Sequence, residues 1–157
     1  MKKAPVTPAV RALRAAGVEF DEHLFDYQPG GAVKAAEETG LDPHGTIKTL
    51  VLETSDGDAL IVLMHGDREV STKALARHLG VKSVAMADPQ KALRSTGYQV
   101  GGTSPFGTRT TIPVYVEQSI LELDRITING GKRGFLVTMA TDDAVRLLAP
   151  QPVEVAV

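Results

Sequence analysis

A lysine in the middle of an apolar strand is the first residue that raises a chemical question. Lys48 lies in the run Ile47-Lys48-Thr49-Leu50-Val51-Leu52-Glu53. Strand alternation puts Lys48 on one face with Leu50 and Leu52, and Ile47, Thr49 and Val51 on the other. Two readings stand. A strand-end lysine can lay its stem on apolar surface and send its ammonium to water. A site lysine can instead hold a carbonyl, a phosphate or a reacting water, and burial there would lower its pKa.

The second feature is the glycine-rich stretch Gly97-Tyr98-Gln99-Val100-Gly101-Gly102-Thr103-Ser104-Pro105-Phe106-Gly107. Consecutive glycines let backbone approach a ligand closely and turn its N–H groups inward. Such groups can hold the oxyanion that develops during acyl transfer. The stretch is neither a Walker nor a dinucleotide fingerprint, because no Gly-Lys-Ser/Thr ending is present and no helix clearly follows. It can also be an ordinary surface loop, although its length without periodicity favours function.

The third feature is Asn129-Gly130-Gly131-Lys132-Arg133-Gly134. Asn-Gly between two β-like runs predicts a hairpin turn there. Lys132 and Arg133 on that turn could meet a phosphate.

The common catalytic outfits are missing. His23, His44, His65 and His78 show no metal-ligand spacing. No serine lies in a Gly-x-Ser-x-Gly elbow, and no His/Asp pair suggests a triad. There is no cysteine, hence no disulfide framework, thiolate zinc site or cysteine nucleophile. Glu37-Glu38 and Asp142-Asp143 read as helix faces and helix starts. No cofactor and no metal are expected. An enzyme made from these residues works by positioning and backbone hydrogen bonds.

The elements that must position these residues can be read from periodicity. Thr7-Pro8 opens a helix with Val6, Val10, Leu13 and Ala16 on one stripe and Gly17 as its stop. A strand covers Val18 to Leu24, and Pro29-Gly30-Gly31 breaks it. A helix follows over Ala32 to Thr39. Ile47–Glu53 and Ala59–Met64 form a hairpin about Asp56-Gly57. Ser71 caps a helix carrying Leu75, Ala76 and Leu79, with Gly80 at its end. Val84–Met86 is a short strand, and Asp88-Pro89 starts another helix. The stretch from Ser95 to Thr111 has no clear period. Strands follow near Val114–Val116, Ile126–Ile128 and Phe135–Val137. Thr141-Asp142-Asp143 caps a last helix with Val145 and Leu148 inward. The mixture predicts an α+β (mixed α/β) chain, one compact domain over residues 1–157, with a curved, mostly antiparallel sheet or barrel flanked by helices.

Composition narrows the setting. The formal charge is −2, from 17 basic and 19 acidic residues. A tight nucleic-acid binder usually shows a basic excess, so contact with RNA should be limited and salt-sensitive. Aromatic residues are 4% of the chain and Trp is absent, which argues against a base-stacking platform. No apolar stretch approaches the roughly 20 residues of a membrane helix, and no apolar run follows Met1-Lys2-Lys3. The expectation is a cytoplasmic protein without a membrane partner.

Taken together, several segments resemble one family. They are Ile47-Lys48-Thr49-Leu50, Met86-Ala87-Asp88-Pro89, the run from Arg94 to Gly107, and Gly130-Gly131-Lys132-Arg133-Gly134. Their order and spacing, from the Thr7-Pro8-Ala9-Val10 start to the final helix, resemble the YbaK/EbsC family. The likeness is greatest to its cysteinyl-tRNA(Pro) deacylases, and the editing domain of prolyl-tRNA synthetase is a more distant relative. The resemblance implies hydrolysis of the ester between an amino acid and the terminal adenosine of tRNA. It implies Lys48, Gly101 and Gly102 as the catalytic set. Phe25, Tyr98, Ser104, Asn129, Gly130, Lys132 and Arg133 would surround the substrate. The implied partners are the acceptor end of aminoacyl-tRNA and prolyl-tRNA synthetase. In the cysteine-specific branch the substrate's own thiol attacks the ester, giving a cyclic thiolactone. Intramolecular attack of that kind can replace a catalytic side chain.

Two positions depart from the cysteine-specific pattern. Phe25 stands where those members carry a tyrosine, and Asn129 stands where they carry a serine. Phe25 loses a hydroxyl, and Asn129 adds bulk and an amide. Loss of a buried hydrogen-bond partner shifts discrimination between substrates. Deacylation of another small amino acid such as alanine, or a non-catalytic module holding tRNA or a nucleotide on a synthetase, is the alternative.

Overall fold

One hairpin with two apolar faces organises the molecule. A computed structural model describes residues 3–29 and 31–157. Gly30 of the expected break, like Met1 and Lys2, lies outside them. Strands β2 (Thr46–Thr54) and β3 (Ala59–His65) pair antiparallel, with Lys48 opposite Met64 and Leu52 opposite Leu60. Alternation then divides their side chains. Ile47, Val51, Ile61 and Leu63 enter one core, and Leu52, Leu60, Val62 and Met64 enter a second.

Helices cover both cores. The first is closed by Val10 and Leu13 of α1 (Pro8–Ala15), Ala92 of α4 (Pro89–Thr96) and Ala144 of α5 (Thr141–Leu148). The second is closed by Leu75 and Ala76 of α3 (Thr72–Leu79), with Val84 of β4 (Val84–Met86). Helix α2 (Gly31–Thr39) lies against β2. The predicted caps form. Thr7 accepts the Val10 N–H, Ser71 that of Ala74, and Asp88 those of Gln90 and Lys91. Each such cap is worth about 1 kcal/mol.

The sheet is open, so of the two expected forms the barrel is not the one observed. Its order is β1 (Phe20–Leu24), β7 (Phe135–Ala140), β6 (Arg125–Lys132), β2, β3, β5 (Val114–Glu117) and β8 (Gln151–Val153), with β4 also on β2. The pairings β1–β7, β6–β7, β2–β3 and β2–β4 are antiparallel. The pairings β2–β6, β3–β5 and β5–β8 are parallel. Those parallel neighbours arise from long crossovers, which local periodicity does not assign.

Four local expectations need correction. Asn129-Gly130 is not the turn: β6 continues to Lys132, the register slips between Asn129 and Lys132, and the chain reverses at Arg133-Gly134. The cause is the Asn129 side chain, whose Oδ1 accepts the N–H groups of Gly131 and Lys132 and folds the extra residues into a bulge. Val6 is exposed rather than part of the buried stripe, and Val145 is also on the outer side. Thr141 does not cap α5, because the N-cap residue is Ala140 and no side chain closes that end.

A buried carboxylate holds the C-terminal segment. Glu117 Oε1 accepts the N–H groups of Val155 (2.7 Å) and Ala156 (3.1 Å). Val155 O in turn accepts the Ser71 N–H at 2.7 Å, and Val157 and Glu69 exchange both backbone hydrogen bonds. Val153 and Val155 thereby seal the second core. Glu117→Ala should destabilise the fold by roughly 3 kcal/mol, since it orphans two amides facing a charged acceptor. Glu117→Gln, which keeps an oxygen acceptor, should lose less than half of that in urea unfolding. Equal losses would refute this account.

Candidate active site

The site is built on an interruption in the sheet. One edge of β2 is paired by β3 throughout. On the other edge β6 pairs with Thr46 and Ile47, and β4 with Leu52 to Thr54. Residues 48–51 have no strand partner on that edge among the described residues. A cavity of about 550 Å³ opens there. Because no strand covers this stretch of the edge, where only Val51 O is met, by the Ala87 N–H at 3.0 Å, side chains from both faces of β2 reach the cavity: Ile47, Thr49 and Val51 from one, Lys48 and Leu50 from the other. The remaining wall is mainly apolar, with Phe25, Met86, Ala87, Ala92 and Leu136, plus Tyr27, Val100, Gly101, Thr103 and Asn129 at its polar side.

Lys48 is oriented rather than loose. Its side chain is 16% exposed. Nζ donates to Arg68 O at 2.7 Å and to Glu69 Oε1 at 3.0 Å. An ammonium has three donors, so one remains for an occupant of the cavity. The segment 68–69 that supplies these acceptors is itself pinned by Val157. Glu69 is 78% exposed, so the ion pair is screened on its outer side and adds little stability. Its contribution is direction.

The glycine loop is held by two side chains from β6 and the turn after it. Asn129 Nδ2 donates to Gly101 O at 3.1 Å, and Arg133 Nε donates to Val100 O at 2.9 Å. Gly101 has φ +89°, and a Cβ there would meet Tyr27 Oη at 2.6 Å; at Gly102 it would meet the Arg133 N at 2.7 Å. Both glycines therefore answer to close packing of the loop. The Gly102 N–H is bonded to Gln99 O at 2.8 Å, so it is not available to an oxyanion. The Gly101 N–H has no partner among the described residues, and Gly101 lines the cavity.

The sequence-derived residues fall into three groups. Lys48, Phe25, Gly101 and Asn129 meet in the cavity wall. Gly102, Gly130, Lys132 and Arg133 lie outside it, supporting the loop or the bulge. Tyr98 and Ser104 do not reach the cavity, because both are buried behind it. Tyr98 Oη donates to Phe106 O at 2.6 Å, and Ser104 Oγ accepts the Phe106 N–H at 3.1 Å. Burial pushes the Tyr98 phenol up to about 12, so it stays a donor within the loop's foundation. Tyr27 reaches the cavity although β1 ends at Leu24. Its ring packs under Arg133, whose guanidinium lies 5.1 Å from the ring centre. Glu69 and Thr49 were not legible as site residues, since neither belongs to a motif. Thr49 Oγ1 is buried with no hydrogen-bond partner.

A histidine cluster lies outside the cavity lining. His44 and His65 stack at 3.8 Å with nearly parallel rings. His44 Nδ1 is 3.1 Å from Asp67 Oδ1. His65 Nδ1 donates to His44 O, and its Nε2 is 2.7 Å from Ser119 Oγ. With Asp67 this set has the composition of a metal site. The stacked rings argue against one, because an imidazole lone pair lies in its ring plane and one ion cannot lie in two parallel planes. Ser119 and His65 also lack the roles of a nucleophile and base, since neither lines the cavity and His65 is 1% exposed. Burial pushes the Asp67 carboxyl up, but the hydrogen bond and charge of His44 outweigh it and hold it below its ordinary value. The cluster fastens the loop before β2 to the end of β3.

Comparison with known proteins agrees with this architecture. The family pattern described as "aminoacyl-tRNA editing domain" matches residues 28–147. EbsC of Enterococcus faecalis, provisionally named a Cys-tRNA(Pro)/Cys-tRNA(Cys) deacylase, is 28% identical over 95% of this chain and 92% of its own length. The proline–tRNA ligase of Moorella thermoacetica is 34% identical over 60% of this chain, but only 16% of the ligase is covered. A crystal structure provisionally described as a trans-editing enzyme for prolyl-tRNA synthetase superposes with a TM-score of 0.81 at 22% identity, covering 96% of this chain and 98% of that one. That structural likeness concerns the fold.

Asn129 is thus a positioning residue that clamps the bulge with its oxygen and the loop with its nitrogen. Asn129→Ala should cost about 1–3 kcal/mol by orphaning both sets of partners. Asn129→Asp keeps the acceptor for Gly131 and Lys132 but loses the donor to Gly101. Amide hydrogen exchange should then speed up at Gly102, whose N–H is bonded to Gln99 O within the loop, while Gly131 stays protected. Unchanged protection of Gly102 in Asn129→Asp would refute the clamp.

Proposed function

The chain belongs to the aminoacyl-tRNA editing domain family, and we propose that it is a trans-editing deacylase acting on mischarged tRNA, with Cys-tRNA(Pro) as its substrate. The observation that carries the reading is an apolar cavity whose wall holds an oriented ammonium and an unpartnered backbone N–H, with no serine, cysteine or histidine among its lining residues. Such a site can bind an aminoacyl group and polarise its ester, but has no strong nucleophile of its own. The EbsC likeness supports the amino acid.

In this reading the terminal adenosine sits at the mouth and the aminoacyl side chain enters the apolar part. Lys48 Nζ and the Gly101 N–H face the ester, where negative charge grows on the carbonyl oxygen. The substrate thiolate attacks its own carbonyl carbon. A C–S bond forms, the ester C–O bond breaks, and the ribose oxygen takes up the proton that the thiol lost. Water then opens the thiolactone. Proximity supplies what a protein nucleophile would otherwise supply. The setting is the cytoplasm, and prolyl-tRNA synthetase is the partner that presents tRNA(Pro).

One observation favours a second substrate. Phe25 has no hydroxyl, and the Asn129 amide is engaged with the loop and bulge, so little remains to single out a thiol. Alanine, removed by water, fits such a wall.

The test is hydrolysis of Cys-, Ala- and Pro-tRNA(Pro). Cysteine should be released fastest, and release of the prolyl group should match the uncatalysed rate. Lys48→Ala should lower kcat/KM by about 10²–10³, as removal of one oxyanion donor does, while unfolding as the parent does. If none of the three esters is hydrolysed faster than in buffer, the chain is a binding module instead.

A further inference from the structure

Charge is distributed unevenly along this chain. Residues 70–116 contain six Lys/Arg (Lys73, Arg77, Lys82, Lys91, Arg94 and Arg109) and one acid, Asp88, a net of +5. The whole chain carries −2, so the remainder carries −7. The basic segment includes α3, β4, α4 and the glycine loop; Met86, Ala92, Val100, Gly101 and Thr103 from its later part line the cavity, and α3 lies beyond them.

Within it, Lys73, Arg77 and Lys82 surround a groove of about 440 Å³ between α3 and β4. All three are exposed. None has an ion-pair or hydrogen-bond partner among the described residues. Lys73 and Arg77 are spaced i, i+4 on α3, so their like charges repel. Lys73 also sits in the first turn, against the helix dipole, and that turn contains no acid. Arg77 and Lys82 near the helix end have a favourable dipole, but Lys73 has no structural return.

The groove and the cavity share β4. Lys82, Ser83 and Val84 line the groove, and Met86 and Ala87 line the cavity. At the rise of a strand, Ser83 and Met86 are about 10 Å apart. A strand of RNA whose 3′ end occupies the cavity can therefore lay a phosphate a few nucleotides upstream in the groove. We propose that the α3–β4 groove is the phosphate-contact surface for the acceptor strand of tRNA, with Lys73, Arg77 and Lys82 as its cations. The proposal rests on the editing function given above, and supplies the local cation excess that the net charge of −2 conceals.

The test compares the parent with K73Q/R77Q/K82Q, whose changes are all on exposed side chains. Filter binding of uncharged tRNA(Pro) is measured between 0.05 and 0.2 M salt, and hydrolysis of cysteinyl- and alanyl-adenosine esters is followed in parallel. The variant should bind tRNA at least about tenfold more weakly at 0.05 M salt, and the slope of log K against log salt should flatten by about 3. The loss should be confined to substrates that carry the stem, so hydrolysis of the adenosine esters should match the parent. An unchanged salt slope overturns the proposal, as does an equal loss on the adenosine esters. Intact tRNA binding with lost binding to prolyl-tRNA synthetase also overturns it and makes the groove a protein contact. Parent protein that binds tRNA with the expected slope but hydrolyses nothing supports the groove and refutes the deacylase reading, so the two fail separately.

Discussion

The molecule depends on a strand that is paired along only part of one edge. A central strand normally has both edges covered, because unpaired backbone groups in an interior are costly. In β2 the second edge is covered by β6 at its start and by β4 at its end; residues 48–51 have no strand partner there among the described residues, and of them Val51 O accepts the Ala87 N–H just past β4. The gap converts a continuous sheet into a wall with a window. It brings side chains of both faces into one space, which a fully paired strand cannot do. An ammonium and a set of large apolar groups thus meet in one cavity, although alternation points some of them in opposite directions.

A window of that kind must be kept from closing or collapsing. Two chains of contacts do so from opposite sides. On one, Glu117 holds the amides of Val155 and Ala156, Val157 holds Glu69, and Arg68 O with Glu69 hold Lys48 Nζ. On the other, the Asn129 amide and the Arg133 guanidinium hold the glycine loop at Gly101 and Val100. Both run through backbone acceptors or amides as well as side chains, so the geometry depends little on rotamer freedom. The lysine and the loop are fixed by separate supports, and each can be altered without the other.

The sequence was most informative where a local rule had no competitor. The β2–β3 hairpin follows from Asp56-Gly57 between two apolar runs, and the starts of α1, α3 and α4 from Thr7, Ser71 and Asp88. It was less informative where a side chain competed with a turn. Asn129-Gly130 has the composition of a tight turn, but the Asn129 oxygen captured two amides and moved the reversal to Arg133-Gly134. Parallel partners such as β3–β5 have no local signature, since their register is decided by distant packing. In the site, Lys48 stood out as a cation in an apolar run. Glu69 did not, because what brings it there is the C-terminal segment, and Tyr27 reaches the cavity through an irregular loop rather than by strand alternation. Tyr98 and Ser104 sit inside a motif whose glycines point to function, yet their hydroxyls bond the loop to itself. A motif can include the residues that hold a loop in shape together with those that meet a ligand.

The absence of serine, cysteine and histidine from the described cavity lining has a physical consequence for selectivity. An enzyme with its own nucleophile attacks whatever ester it binds, and must reject the correct aminoacyl group by binding alone. A pocket differing by one methylene gives only about 1–3 kcal/mol of such discrimination. A site that merely orients the ester and stabilises the oxyanion leaves the attack to a group on the substrate or to water. In the deacylase proposed above, a proline ring would have no thiol to deliver and its bulk would shield the ester from water, so that selectivity would come from the reaction path as well as from fit. The engaged Asn129 and the apolar Phe25 are consistent with that division, because neither is needed to activate anything. What the wall must do is hold Lys48 and the Gly101 amide in place, and the two chains of contacts do this.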